Sequence, residues 1–114
     1  MAMNTKTYNP VQSITMTAAS DIPAFRFVNY SGGLCSNNTL AAGVSEVSWV
    51  QGSKMQVVTL GTIAIECAGV IAVGEDVASA NDGKARVALP GEKVNGRALE
   101  GAGIGGFAKV KLVP

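Results

Sequence analysis

Two β-strand patterns separated by one glycine fill the middle of the chain, in the stretch Lys54-Met55-Gln56-Val57-Val58-Thr59-Leu60-Gly61-Thr62-Ile63-Ala64-Ile65-Glu66-Cys67. The first half is rich in apolar and β-branched residues, and the second half alternates in polarity. β-Branched side chains fit a pleated, half-buried surface, and a period of two places one face of a strand against a core. A glycine between two such patterns marks a break. The stretch therefore predicts two strands, one on each side of Gly61.

The strand pattern continues toward the N-terminus. Ile14, Met16 and Ala18 fall on one side of an alternating segment, as a half-buried strand requires. Phe25 and Phe27 share a face in the next segment, opposite Arg26. Upstream strands are thus predicted at residues 13–18, at residues 24–30, and at residues 44–50 with a turn at residues 51–53.

The second half of the chain shows the same pattern. The triplet Asn81-Asp82-Gly83 lies between two alternating segments and predicts a hairpin turn, because these residues tolerate positive φ. Residues 107–113 alternate as a final strand, and no ten residues sustain a helical period. A meander is the simplest connection. The prediction is an all-β fold, a small antiparallel β-barrel or β-sandwich with an extended N-terminal arm and little or no helix.

The chain of 114 residues is long enough for one domain with a single core. Residues 1–12 show no sustained period, and Pro10 favours an extended Asn9. We therefore expect an arm at residues 1–12 and a single β domain at residues 13–114. Only 15% of the residues are charged, against about 25% in average proteins. A surface this poor in charge is expected to be partly covered by partners.

Charge and hydropathy exclude two kinds of partner. The net charge is +1 and the lysines are scattered, so no basic run could neutralise a row of phosphates, and direct nucleic-acid binding is not expected. No run of about 18 apolar residues could span a membrane, and the first residues lack the apolar region of a secretory signal. We expect a soluble protein made in the cytoplasm.

The residues needed for catalysis are missing. There is no histidine, which removes the usual general base and the commonest metal ligand. Glu75 and Asp76 are adjacent and point to opposite faces of a strand, whereas Glu46, Glu66 and Glu100 stand alone, so no acid/base pair is predicted. We expect no enzyme, no catalytic residue, no cofactor and no metal site.

The two cysteines and the glycine-rich segment do not predict ligand-binding sites. Cys35 and Cys67 are too few and too far apart for a zinc site or a disulfide framework, which predicts two buried thiols. The segment at residues 101–106 lacks the Lys-Ser or Lys-Thr pair and the helix of a phosphate-binding loop. It predicts a sharp connection between strands.

Trp49 and Lys54 leave alternatives open. Trp49 is the only tryptophan; core packing is the favoured role, and an interface anchor is the alternative. Lys54 follows the turn at residues 51–53, which is similar to the biotinyl and lipoyl carrier domains that present a modified lysine at a hairpin tip. The methionine that precedes the lysine in those domains is absent here. A small β carrier domain is the second hypothesis.

The order of motifs resembles a known family of phage proteins. The segments are Thr15 to Val28, Ala42-Gly43-Val44-Ser45, Gly74-Glu75-Asp76-Val77, Asp82-Gly83-Lys84, Asn95-Gly96-Arg97-Ala98-Leu99-Glu100 and Gly106-Phe107-Ala108-Lys109-Val110-Lys111-Leu112. Together they look like the capsid cement, or head decoration, proteins of tailed phages. The resemblance implies a structural protein of the virion that binds the outer capsid surface and stabilises contacts between major capsid protein subunits.

The implied partners are the major capsid protein and other copies of the chain, with a trimer favoured and a dimer as the alternative. An extended arm can add a strand to a neighbouring sheet without charged anchors. The candidate partner-contact residues are Met3, Asn4, Thr5, Lys6, Thr7, Tyr8, Asn9, Pro10, Val11 and Gln12 of the arm, together with Trp49.

Overall fold

Eight β-strands and one 3₁₀ turn make up the computed structural model, which describes residues 9–112. No α-helix occurs within those residues. The strands are β1 (Pro10–Thr17), β2 (Phe27–Asn29), β3 (Ala41–Ser45), β4 (Lys54–Glu66), β5 (Asp76–Ser79), β6 (Ala85–Val87), β7 (Gly96–Ala98) and β8 (Phe107–Leu112), and the 3₁₀ turn is Asn81–Gly83. The prediction of an all-β fold with little or no helix is confirmed.

The strands form an antiparallel sheet that curls into a nearly closed barrel. Their order is β2-β3-β4-β8-β7-β5-β6, and β1 pairs with β4 outside this path. The predicted antiparallel barrel is therefore confirmed. The predicted meander is wrong, because β4 pairs with β8, the last strand, instead of β5. This non-local pairing joins the two halves of the chain around one core.

β4 serves both halves of the sheet and bends at Gly61. Its residues 54–60 pair with β1 and β3, whereas its residues 62–66 pair with β8. Gly61 has a φ of +104°, and a Cβ there would lie 2.5 Å from the Asn9 carbonyl oxygen and 2.7 Å from the Val11 nitrogen. Only glycine fits this backbone conformation and this close approach. The predicted break is wrong: one continuous strand turns at Gly61.

Both faces of the first half of β4 contribute buried side chains, although Lys54, Gln56 and Leu60 are exposed. Val58 points into the barrel core, while Met55 and Val57 pack into a smaller cluster on the other side. We call this second cluster the outer cluster; its fully buried members are Ala18, Ile22, Val28, Met55 and Val57. The barrel core is formed by Phe27, Cys35, Val44, Val58, Ile63, Ile65, Cys67, Ile71, Val77, Ala85, Ala98, Ala108, Val110 and Leu112.

An irregular segment, residues 34–40, fills the gap between β2 and the β5–β6 hairpin. The Cys35 N–H donates to the Phe27 carbonyl (3.1 Å), and the Cys35 carbonyl accepts from the Gly83 N–H (2.8 Å). The buried Ser79 hydroxyl donates to the Ser36 carbonyl (2.7 Å). Because buried polar groups must be paired, these bonds let a non-strand segment complete the barrel wall.

Two predicted strands are shorter in the structure. Phe25 has a φ of +61°, which interrupts the extended backbone, so β2 begins only at Phe27. β3 ends at Ser45, whose N–H donates to the Arg26 carbonyl and whose carbonyl accepts from the Phe25 N–H. The residues after Ser45 form a loop rather than the predicted strand at residues 44–50.

The predicted turn at residues 81–83 and the predicted buried thiols are both found. Asp82 and Gly83 adopt φ values of +62° and +72°, and β5 pairs with β6 across the turn. Cys35 and Cys67 are free and buried. Burial raises the pKa of Cys35 to about 12 and also raises the pKa of Cys67. These thiols pack as small apolar groups.

The close approach at Gly61 predicts a large penalty for a side chain. Gly61→Ala should lower the free energy of unfolding by about 2 to 4 kcal/mol, because it combines positive-φ strain with a clash against β1. Gly52→Ala is the matched control, since Gly52 also has positive φ (+87°) but nothing lies within 4 Å of its added Cβ. It should cost about 1 kcal/mol. Urea unfolding of both variants measures the difference; equal losses would contradict the proposed clash.

A bidentate ion pair fixes the chain just after β6. Arg86 donates from Nη1 and Nη2 to the two Glu92 carboxylate oxygens, both at 2.6 Å, and its Nε donates to the Asn37 side chain (2.7 Å). The hydrogen bonds from Arg86, followed by the one from the Leu89 N–H, lower the pKa of Glu92 from 4.5 to about 2. Arg86 thereby links this turn to the segment that closes the barrel.

This pair predicts an acid-sensitive contribution to stability. The pKa of Glu92 is lower in the folded state, so its contribution is complete above about pH 4.5 and is lost as the pH falls toward 2. Lowering the pH from about 4.5 to about 2 should therefore reduce the free energy of unfolding less in Glu92→Gln than in the unmodified protein. Urea midpoints at pH 7, 4 and 2.5 test this. Glu100→Gln, at a side chain that is 59% exposed, is the control and should leave the acid dependence unchanged.

Candidate docking surface

Part of the predicted arm and Trp49 line one groove. Pro10, Val11 and Gln12 at the start of β1 form one wall, and Val47 and Trp49 of the β3–β4 loop form the other. The groove has a volume of about 400 Å³. We call it the docking groove; its remaining lining residues are Ser13, Glu46, Gln56 and Val58. Residues chosen separately from the sequence are thus adjacent in space.

Backbone pairing holds Trp49 at this position. The Trp49 N–H donates to the Ile22 carbonyl and the Ile22 N–H donates to the Trp49 carbonyl, both at 2.8 Å. The half-buried indole packs against the outer cluster and also lines the docking groove, while its role as an interface anchor stays a prediction. Its Nε1 is buried and has no hydrogen-bond acceptor within residues 9–112. An unsatisfied buried donor costs about 1 to 3 kcal/mol.

The rim of the docking groove is apolar and open. Val11 is 65% exposed and Val47 51% exposed, while Val50, just beyond Trp49, is 68% exposed. A second hollow of about 330 Å³ lies on the Val50 side of the indole and is also lined by Ile22. Grouped exposed apolar side chains around a tryptophan are typical of protein interfaces.

The opposite face of β1 carries a further apolar hollow that sequence reasoning missed. Ile14, Tyr30 and Leu60 contribute its large side chains, and its volume is about 470 Å³. The prediction that Ile14 faces the core is wrong: Ile14 is 40% exposed, because β1 pairs only with β4 and the outer cluster extends only as far as Met16. The lone sequence signal was Tyr30 beside a glycine turn, which does not specify a hollow.

The arm prediction is only partly within the described residues. β1 begins at Pro10, so residues 10–12 lie along β4, with register shifts between Pro10 and Ser13. Asn9 is attached to β4 by two bonds, from its N–H to the Thr62 hydroxyl (2.7 Å) and from the Thr62 N–H to its carbonyl (3.1 Å). Met3, Asn4, Thr5, Lys6, Thr7 and Tyr8 lie outside the described residues.

Lys54 is not at a hairpin tip. It is the first residue of β4, and its ammonium group donates to the Thr17 hydroxyl (2.9 Å) across the β1–β4 pair. The tip consists of Gln51 and Gly52. The structure therefore lacks the protruding lysine on which the carrier-domain hypothesis rested.

Glu66 and Glu100 form ion pairs outside the docking groove and the hollow lined by Ile14, whereas Glu46 lines the docking groove itself. Glu66 accepts from Arg26 (3.0 Å) and lies 3.4 Å from the Lys84 ammonium group, so it does not stand alone as predicted. Burial raises the pKa of Glu66, but the hydrogen bonds and charges of Arg26 and Lys84 outweigh burial and lower it overall. Glu100 lies 3.5 Å from the Lys109 ammonium group. These pairs stabilise the barrel wall.

The described part of the chain holds neither a metal-binding cluster nor a membrane-spanning helix. Residues 9–112 contain no group of three His, Cys, Asp or Glu side chains arranged to hold a metal ion. Over the same residues, no helix has the length and apolar character needed to cross a membrane.

Comparisons with known proteins point to phage heads. The family model described as phage cement protein matches residues 6–112. Among solved structures, the head fiber gp8.5 N base in bacteriophage phi29 is similar, with 25% sequence identity and a TM-score of 0.76; the match covers 90% of this chain and 93% of that chain. No curated protein matches the sequence.

Proposed function

The chain belongs to the phage cement protein family, and on that premise we propose that it binds the outer surface of a phage head and holds neighbouring major capsid protein subunits together. The family predicted from the sequence is confirmed, and with it a structural role in the phage head. The proposal adds a surface, a partner and a mechanism to that role.

The docking groove is the observation that carries the proposal. Trp49 fixes the groove through its packing on the outer cluster, while Val11 and Val47 stay exposed at its rim. Covering such side chains removes apolar area from water, at about 25 cal/mol per Å².

The charge of the chain favours a location on the outer surface of the head rather than on the inner surface. The inner surface faces packaged DNA, and a chain with net charge +1 and no basic run has little attraction for phosphates. The low charge content instead suits close packing against a neighbouring protein. We therefore place the protein on the outside of the virion, made in the host cytoplasm, without direct nucleic-acid contact and without a catalytic step.

Cementing requires one molecule to contact more than one capsid subunit. We propose that the docking groove binds one subunit and that residues 3–8 of the arm, with residues 9–12, reach a second subunit or a neighbouring copy, a trimer being the favoured assembly. Each contact is modest, but linked contacts repeated over the head raise the effective affinity. Closing gaps between subunits in this way would resist internal DNA pressure.

A charge at position 47, on the rim of the docking groove, should weaken binding to the head and so weaken cementing. Val47→Asp should lower the affinity for purified heads that lack this protein at least tenfold, because the carboxylate would be desolvated against the capsid. Val73→Asp is the control at another exposed valine, 70% exposed against 51% for Val47, that lines neither the docking groove nor the hollow of Ile14, Tyr30 and Leu60. Co-sedimentation measures binding, and the temperature at which heads release DNA measures cementing. Equal binding by both variants would refute the groove as the capsid contact.

The arm should contribute separately from the groove. Removing residues 2–8 leaves Asn9 and its two bonds to Thr62 in place, so the barrel should keep its unfolding midpoint. Head binding should weaken at least tenfold, or the oligomer should dissociate in sedimentation analysis. A chain with residues 2–8 replaced by Gly-Ser of the same length separates loss of side chains from loss of length. Unchanged binding and unchanged oligomeric state in the deletion would remove the arm from the proposal.

A further inference from the structure

The middle of β1 has an open hydrogen-bonding edge. The Ala18 N–H donates to the Ser53 carbonyl (2.9 Å), which sets the alternation of bonded pairs between β1 and β4. Bonded and non-bonded pairs alternate in antiparallel sheets, so Ile14 and Met16 direct their main-chain groups toward β4. Ser13 and Thr15 therefore direct theirs to the opposite side, where no strand within residues 9–112 pairs with β1.

Both ends of this open edge are blocked. At one end, Gly32 lies so close to the Thr17 carbonyl that a Cβ would sit 2.3 Å from its oxygen, and the Ala19 N–H donates to the Gly32 carbonyl (3.0 Å). At the other end the register shifts, and Pro10 has no N–H to donate. The open part is thus short, with one donor and one acceptor on each of Ser13 and Thr15.

The edge lacks the charges that usually protect exposed strands. β1 (Pro10–Thr17) contains no charged residue, whereas exposed edges are normally guarded by lysine or other charges against pairing with another chain. Hollows flank it on both faces: the docking groove, which has both apolar and polar lining residues, on one, and the mainly apolar hollow of Ile14, Tyr30 and Leu60 on the other. A strand added here would place alternate side chains in the two hollows.

We infer that this edge receives a short extended segment of the major capsid protein by strand addition. The segment is uncharged, places an apolar side chain in the hollow of Ile14, Tyr30 and Leu60, and forms up to four main-chain hydrogen bonds with Ser13 and Thr15. This inference rests on the proposed function, whose docking groove it extends. A second copy's whole β1 does not suit the opening, because that strand has eight residues and Gly32 covers the edge at Thr17.

Thr15→Pro tests the inference, with Thr15→Val as the matched control. Both variants lose the hydroxyl that accepts from Gln56 Nε2 (3.0 Å), but only proline removes the outward N–H, and the bonds of Ile14 and Met16 to β4 remain. Thr15→Pro should bind purified heads at least tenfold more weakly than Thr15→Val. Equal affinities would overturn the inference.

Amide hydrogen exchange of the unmodified protein provides a second measurement, which does not depend on the folding of the proline variant. On heads, the Ser13 and Thr15 amides should exchange at least tenfold more slowly than in the free protein, with Ile14 and Met16 as internal references. Unchanged rates on heads would overturn the inference. Protection that appears in the free protein and rises with its concentration would assign the edge to a second copy, and would also overturn it.

The two proposals fail in different ways. If Val47→Asp abolishes head binding while Thr15→Pro matches Thr15→Val, strand addition is wrong and the proposed function stands. If the unmodified protein does not bind heads, both are wrong.

Discussion

The rest of the structure depends on a steric constraint at Gly61, where β4 passes from one half of the sheet to the other. No side chain fits between this residue and the Asn9 carbonyl, and the positive φ turns the strand without ending it. One strand can therefore pair with β1 and β3 before the bend and with β8 after it. Val58 and Ile63, on opposite sides of the bend, consequently belong to the same core.

One part of the barrel wall is not a strand. Residues 34–40 are irregular, and irregular backbone in a barrel wall has polar groups that the regular ladder does not satisfy. Two buried polar side chains meet this need: Ser79 binds the Ser36 and Thr39 carbonyls, and Asn95 binds both the Ala41 N–H and the Thr39 carbonyl. Their burial in a domain with few buried polar residues is explained by this role.

The same arrangement explains why the candidate docking surface lies at β1. With β8 occupying the position beside the second half of β4, β1 pairs only with the first half and stays outside the barrel path. Its two faces are then left partly uncovered, next to the loop that carries Val47 and Trp49. An uncharged, exposed strand edge invites pairing with another chain. Under the capsid binding proposed above, this edge is a suitable binding surface.

The sequence by itself determined the all-β class, most strand positions, the turn at residues 81–83 and the two buried thiols. These follow from alternation, β-branching and turn chemistry, which act over a few neighbouring residues. It also singled out Trp49 and residues 10–12 as separate candidates. Only the tertiary structure decided that they line one groove, that Ile14 faces outward, and that β4 runs unbroken to meet β8. Each of these depends on pairing between residues far apart in the chain, and local patterns do not specify which strands pair or which edge stays open.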